Sequence, residues 1–108
     1  MTRITFDGFR MQAEGHAGYA RVGEDIVCAG LSTLFAAAAE MILDLERRRM
    51  LDKAPRIRLC QGDVLIEADP LPEAVTRTRV IFEYLEKGCR ILAESYPENV
   101  FIRQNADE

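Results

Sequence analysis

One segment of the sequence holds the residue types that nucleophilic catalysis needs. The stretch GHAGYARVGEDIVCAG, residues 15–30, contains His16, the single histidine of the chain, and Cys28, one of its three cysteines. A thiolate is a strong nucleophile, and a histidine within reach can accept the thiol proton and later donate it to a leaving group. These two side chains are therefore candidates for a nucleophile and for its general base and acid.

Asp25 stands three residues before Cys28 and is a favourable N-cap residue for a helix. Its carboxylate is expected to accept hydrogen bonds from the backbone N–H groups two and three residues ahead, which places Cys28 in the first helical turn. Free N–H groups and the positive end of the helix dipole favour thiolate over thiol there. The same N–H groups, including that of Cys28, are candidates for stabilising a tetrahedral oxyanion.

Three glycines, Gly15, Gly18 and Gly23, surround the histidine and precede the helix. We interpret them as hinges and close-approach points in a loop that holds His16 and closes over a substrate. Each feature also has a purely structural interpretation. A cysteine in an apolar helix is usually a small core residue, a lone histidine can bond to a turn carbonyl, and glycines can serve a tight loop. Spacing alone does not connect the three features.

Two predicted strands lead up to His16, and one long helix follows it. Residues 3–7 and 9–14 alternate apolar and polar side chains, and the dipeptide DG at 7–8 is a strong hairpin signal. From Asp25 onward apolar residues recur at helical spacing, and the basic run at 47–49 suits a helix C-terminus.

The rest of the chain predicts a second hairpin, a second helix and a last strand. Residues 55–70 read as two strands with the turn QGD at 61–63, residues 71–98 as a helix ended by Pro97, and residues 100–104 as a strand. The predicted fold class is α+β in a single domain, residues 1–108. It has the order ββαββαβ, with two helices packed on an antiparallel or mixed sheet of about five strands.

Composition and charge exclude several classes of function. With 48% hydrophobic and 30% charged residues the chain has the composition of one globular domain. A net charge of −4 opposes direct binding of nucleic acid. We expect no signal peptide and no segment approaching membrane-spanning length, and hence a cytoplasmic protein. The cysteine spacings match no zinc pattern, and a cytoplasmic protein keeps its thiols reduced, so neither a metal site nor a disulfide is expected. No cofactor is expected either. Cys60 and Cys89 are expected to pack as small apolar groups.

The stretch GHAGYARVGEDIVCAGLSTL, residues 15–34, resembles the signature of Prp, a family of ribosomal-processing cysteine proteases. More loosely, the resemblance extends over the whole chain and includes YPENVFI at residues 96–102. It implies that His16 and Cys28 form the catalytic dyad and that Asp25 and Ser32 are the two polar residues that accompany it. It further implies a homodimer that removes a short N-terminal extension from the precursor of a bacterial large-subunit ribosomal protein, the one numbered twenty-seven.

Two other classes of function stay open at this point. One is a non-catalytic, ribosome-associated dimeric binding module that recognises the precursor or an assembly intermediate. The other is a thiol-dependent enzyme that acts on small molecules. The presence of both His16 and Cys28 favours the protease, because a binding module needs neither a nucleophile nor its base.

Overall fold

The computed structural model describes residues 1–21 and 23–104, and its strands and helices follow the predicted order. A short 3-10 turn, Pro72–Ala74, precedes the second helix. The elements in chain order are β1 (Thr2–Phe6), β2 (Arg10–Glu14), α1 (Ile26–Arg47), β3 (Arg56–Cys60), β4 (Asp63–Glu67), α2 (Val75–Ser95) and β5 (Val100–Gln104).

The five strands form one mixed sheet in the order β3-β4-β2-β1-β5. Both hairpins, β1–β2 and β3–β4, are antiparallel, and β2 pairs with β4 in antiparallel register with Met11 opposite Ile66. β5 returns after α2 to lie parallel to β1, with Ile102 opposite Ile4. The predicted fold class is therefore confirmed, and the parallel pair makes the sheet mixed.

One face of the sheet carries the apolar core and both helices. Alternate residues of a strand point to the same face, so Ile4 and Phe6 of β1 and Met11 of β2 project together toward the helices. They join a cluster of buried residues from α1 and α2 that includes Ile42 and Leu85. This packing holds the start of α1 against the sheet, next to the end of β2.

α1 is 22 residues long, begins after the N-cap Asp25 and has Arg47 in its last turn. Its length and mean hydropathy, 2.0 over 18 residues, are those of a membrane-spanning helix, so the expectation that no segment approaches that length is wrong. The core helix of a globular domain has the same length and composition. In this fold α1 places its buried side chains in the core: Val27, Leu31, Phe35, Ala38, Ala39, Ile42 and Leu45.

The segment that follows β2 is brought beside two distant parts of the chain. The Gly15 N–H donates to the Gly62 carbonyl in the β3–β4 turn at 2.9 Å. The Thr2 hydroxyl donates to the Gly15 carbonyl at 3.3 Å. The loop between β2 and α1 therefore lies between the β3–β4 turn and the start of β1.

Candidate active site

Cys28 is the third residue of α1, as the sequence predicts. Asp25 has extended backbone geometry, and its Oδ1 accepts hydrogen bonds from the Val27 N–H at 2.9 Å and the Cys28 N–H at 3.0 Å. These are the two donors expected of an N-cap aspartate. The cap fixes the first turn, and the Cys28 side chain is half-buried at its surface.

The second carboxylate oxygen of Asp25 holds the preceding loop. Oδ2 accepts from the Tyr19 N–H at 2.9 Å and from the Ala20 N–H at 3.2 Å. Burial of Asp25, which is only 6% exposed, opposes its ionisation. The four backbone N–H donors outweigh that cost and hold the pKa of Asp25 below its ordinary value. One buried carboxylate thus ties the loop to the start of the helix.

This use of Asp25 corrects the expectation about the oxyanion. The N–H groups of Val27 and Cys28 are both occupied by Asp25 Oδ1. The negative charge of Asp25 also lies at the helix end where a thiolate would form, and like charges oppose each other. The helix terminus therefore offers Cys28 less stabilisation than the sequence suggests.

A different backbone donor faces the sulfur. The N–H of Ala17, the residue after the histidine, donates to Cys28 Sγ at 3.4 Å. Ala17 is 1% exposed, so this donor is withdrawn from solvent. It is the one hydrogen bond to the sulfur within the described residues.

His16 follows β2 by two residues and is exposed. Its ring rests on Gly62 in the β3–β4 turn, where a Cβ atom would come within 3.0 Å of Nε2 and 3.2 Å of Cε1. Gly62 also has a φ of +76°, which disfavours any other residue. In the part of the chain that the structure describes, the imidazole makes no hydrogen bond, to Cys28 or to any other group. The turn was predicted from QGD, but its role as a platform for the histidine was not.

His16 and Cys28 line the same cleft, whose volume is about 140 Å³. Its floor is apolar and is formed by residues of β2, α1 and β4 that include Ala13, Phe35 and Val64. The structure therefore brings the thiol and the imidazole to one concave surface with room for a side chain beside them.

The other residues predicted for the site also lie on this cleft. Ser32 lines it one helical turn beyond Cys28, exposed and with no hydrogen bond within the described residues. Gly15, Gly18 and Gly23 line it too, and all three have positive φ. At Gly15 a Cβ atom would lie 2.5 Å from the Met1 carbonyl oxygen, so this glycine is required by a close approach. Their role as hinges stays a prediction.

The two remaining cysteines differ from each other. Cys89 is fully buried, and this burial, with the Glu86 charge nearby, raises the pKa of its thiol to about 12. Its expected apolar packing is confirmed. For Cys60 that expectation is wrong, because alternation along β3 places its side chain on the same face as Arg56 and Arg58, where it is exposed. The residue lies at the rim of the cleft.

Tyr19 packs against another part of the chain. Its ring meets Tyr96, just after α2, edge to face with centroids 5.2 Å apart, and it is still 50% exposed. A tyrosine in this loop either gates the cleft or packs the loop against the sheet. The ring contact supports packing, and it adds to the anchors that Asp25 provides.

A wider cleft, about 550 Å³ in volume, lies at the other end of the hairpins, and its described lining has no thiol, hydroxyl or imidazole. Its charged residues pair with one another: Glu67 bonds Arg10 at 3.3 Å and Arg56 at 3.2 Å, and Lys53 lies 3.9 Å from Asp69. Size therefore does not identify the site in this fold, whereas the convergence of thiol and imidazole does.

Comparison with known proteins gives the family of the chain. The structure is similar to an essential ribosomal processing protease, Prp, from S. aureus, solved with a covalently linked product peptide. The identity is 20% and the TM-score 0.80, with 97% of this chain and 100% of that chain covered. The same S. aureus protease with a substrate peptide gives 19% identity and a TM-score of 0.73, again over 97% and 100% of the two chains.

The protein SMU.848 from Streptococcus mutans gives 25% identity and a TM-score of 0.68, over 96% of this chain and 93% of that chain. No curated protein sequence matches. A sequence model of the family described as cysteine protease Prp matches residues 1–101 of the 108. The chain therefore belongs to the Prp family of cysteine proteases.

Proposed function

We propose that this protein removes a short N-terminal extension from the precursor of a bacterial large-subunit ribosomal protein, the one numbered twenty-seven. Cys28 is the nucleophile and His16 the general base and acid. The observation that carries the proposal is the meeting of the single histidine and a half-buried, N–H-bonded thiol on one cleft. The description of the S. aureus relative as a ribosomal processing protease supports the choice of substrate.

The chemistry follows from the two groups. His16 takes the thiol proton, and Cys28 Sγ attacks the carbonyl carbon of the scissile peptide bond to give a tetrahedral oxyanion. The intermediate collapses when His16 returns the proton to the amine nitrogen of the leaving peptide, and a thioester remains on Cys28. A water molecule that gives its proton to His16 then attacks the thioester. The C–S bond then breaks, the Cys28 thiolate takes the proton back from His16, and the N-terminal product ionises to a carboxylate by releasing the second water proton to solvent.

Three neighbours assist these steps in different ways. Asp25 holds the loop on the start of α1 and is a positioning residue, since its four hydrogen bonds go to backbone N–H groups. Ser32 has an exposed hydroxyl on the cleft wall and is free to bond the substrate backbone. The Ala17 N–H, already on the sulfur, is the nearest backbone donor for the oxyanion.

The extension binds along an edge of the sheet. β3 is an edge strand, and its last residue, Cys60, lies at the rim of the cleft, so an extended peptide added to β3 would lead into the site. The apolar floor suits an apolar or aromatic side chain before the cleaved bond. A net charge of −4 favours encounter with a basic ribosomal protein and opposes direct binding of nucleic acid.

We further propose that the protein is a homodimer in the cytoplasm. An apolar groove of about 330 Å³ runs between α1 and α2, and Met41, Val80 and Tyr84 beside it are 50%, 55% and 75% exposed. Contiguous apolar surface of this kind marks an interface. Sedimentation should give a dimer for the parent and a monomer for Val80→Glu. A monomeric parent at the same concentration would contradict this part of the proposal.

One observation favours the second candidate, a non-catalytic dimeric binding module. In the structure no hydrogen bond joins the His16 ring to the Cys28 sulfur within the described residues. A binding module needs no such bond, whereas the protease needs His16 to move when substrate arrives.

The deciding experiment incubates the purified protein with the precursor and reads the products by intact mass. The protease predicts one cut that shortens the precursor, full loss of the cut in Cys28→Ala, and retention of precursor binding by that variant. Cys60→Ala is the matched control, because it removes the other exposed thiol on the same cleft and should leave the cut intact. Binding without cleavage by the parent would establish the binding module instead.

A further inference from the structure

A side chain from near the C-terminal end of the sequence contacts the loop between β2 and α1. The Asn99 side-chain amide donates to the Ala17 carbonyl at 2.9 Å, across 82 positions of sequence. Ala17 follows His16 directly, and its own N–H is the donor on Cys28 Sγ. We propose that Asn99 is a positioning residue that holds Ala17 so that this N–H stays on the Cys28 sulfur. The inference rests on the proposed function in one respect, that Cys28 is the nucleophile.

The backbone of Asn99 is fixed independently of its side chain. Its N–H donates to the Tyr96 carbonyl at 2.9 Å, and its carbonyl accepts from the Thr2 N–H at 2.9 Å. These bonds attach the start of β5 to the end of α2 and to β1. The Asn99 amide therefore projects from a rigid point, and substitutions of the side chain leave both backbone bonds in place.

Ala17 needs such an anchor because of its neighbours. His16 before it makes no hydrogen bond within the described residues, and Gly18 after it has a φ of +73°. The Asn99 bond holds the Ala17–Gly18 peptide unit, which adjoins the His16–Ala17 unit whose N–H lies on the sulfur. Ala17 is also almost fully buried, with 1% exposure, which further restricts its movement.

The chemistry of an amide also suits the location. Asp25 anchors Tyr19 and Ala20 with a negative charge, and that charge opposes a thiolate nearby. Asn99 anchors the same loop with a neutral group that donates. An aspartate at position 99 would keep the shape, lose the donor, face the Ala17 carbonyl with a second acceptor and add negative charge near the sulfur.

The test measures the rate of iodoacetamide alkylation against pH in a Cys60→Ser background. In that background Cys28 is the one exposed or half-buried thiol, since Cys89 is buried. Asn99→Ala should raise the pH of half-maximal alkylation by about half a unit, as expected for loss of one hydrogen bond to the anion. Asn99→Asp should raise it further, and it keeps the proposal testable if the alanine variant fails to fold.

Gln12→Ala is the matched control, since it removes a side-chain amide whose hydrogen bond, to Glu14 at 3.0 Å, stays within β2. Its alkylation profile should coincide with that of the parent. On the precursor, Asn99→Ala should lower kcat about fivefold and leave KM unchanged.

The outcomes separate the two claims. If the parent does not cut the precursor but Asn99→Ala still shifts the alkylation profile, the proposed function is wrong and the positioning inference stands. If the parent cuts the precursor and the profiles of both Asn99 variants coincide with that of the parent, the inference alone is overturned.

Discussion

The two sides of the cleft are built in opposite ways. On the thiol side, Cys28 lies in a capped helical turn, its sulfur accepts the Ala17 N–H, and Asp25 ties the turn to the loop with four hydrogen bonds. On the imidazole side, His16 is exposed, has no hydrogen bond within the described residues and rests by contact alone on Gly62.

Under the proposed function, this difference assigns separate tasks to the two sides. The nucleophile is held in place before substrate arrives, which lowers the cost of reaching the attacking geometry. The base is confined to one side of the cleft but can turn on its platform, so substrate binding completes the pairing. Changes on the imidazole side should therefore affect catalysis more than thiol reactivity, and changes on the thiol side should affect stability as well.

The largest effect is expected from His16→Ala. Loss of the proton donor to the leaving amine should lower the rate of precursor cleavage by about 100-fold to 10,000-fold. Alkylation of Cys28 should slow only severalfold, because the Ala17 N–H stays on the sulfur when the imidazole is removed. A cleavage assay and an alkylation assay on the same Cys60→Ser background measure both. An equal fold-loss in the rates of cleavage and of alkylation would contradict the separate tasks of the thiol side and the imidazole side.

Gly62→Ala should disturb the imidazole and spare the thiol. The new methyl group would lie 3.0 Å from His16 Nε2 and displace the ring, so cleavage should fall about tenfold while Cys28 alkylation stays unchanged. Gly8→Ala is the matched control. Gly8 also has a positive φ, 59° against 76° at Gly62, but nothing lies within 4 Å of its Cβ position. Gly8→Ala should lower the free energy of unfolding by a similar amount and leave the cleavage rate unchanged. Equal losses of activity in both variants would contradict the role of Gly62 in supporting the His16 ring.

Asp25→Asn should lower stability in a pH-dependent way. Its pKa is held below the ordinary value of 3.8, so the carboxylate stabilises the folded state above that pH and the effect disappears as pH falls below it. The variant places an amide donor against the Tyr19 and Ala20 N–H groups, and the cost is about 1–2 kcal/mol at neutral pH.

The free energies of unfolding of parent and variant, measured by urea unfolding, should differ by a constant amount above about pH 5. This difference should become smaller as the pH falls below 3.8. Asp44→Asn is the control, since Asp44 pairs with Arg47 on the exposed surface of α1, and its effect should be near zero. A difference that stays constant down to pH 2 would contradict the role of the ionised carboxylate.

The smallest effect concerns the order of the loop from about Gly15 to Gly23. We predict that it is less ordered than β2 and α1 in the absence of substrate. Within it, the amides of Ala17, Tyr19 and Ala20 are bonded and should exchange hydrogen several times more slowly than those of Gly18 and Gly23. Exchange as slow as in α1 across the whole segment would argue against gating.

Local signals in the sequence predicted one side of the site well. Periodicity and turn chemistry gave the element order, and the N-cap rule placed Asp25 and Cys28 because a cap acts over three residues. The Ala17 N–H that contacts the Cys28 sulfur comes from eleven positions earlier in the sequence, and no local rule predicts a contact over that separation.

The rest depends on contacts that only the folded sheet creates. Gly62 reaches His16 because β2 pairs with β4, and Asn99 reaches Ala17 because β5 returns beside β1. Neither residue carries a local signal of that contact. The exposure of Cys60 was misjudged for a different, local reason, since alternation along β3 places Cys60 on the same face as Arg56 and Arg58.

The central claim is that Cys28, and no other thiol, is the nucleophile. Its most direct test is peptide mapping by mass spectrometry after reaction with a peptidyl chloromethyl ketone that ends in an aromatic residue. We predict one adduct per chain, on Cys28, formed with loss of chloride, and its formation should be slowed by His16→Ala and unaffected by Cys60→Ala. An adduct on Cys60 of the parent, or the same total labelling in Cys28→Ala, would contradict the account.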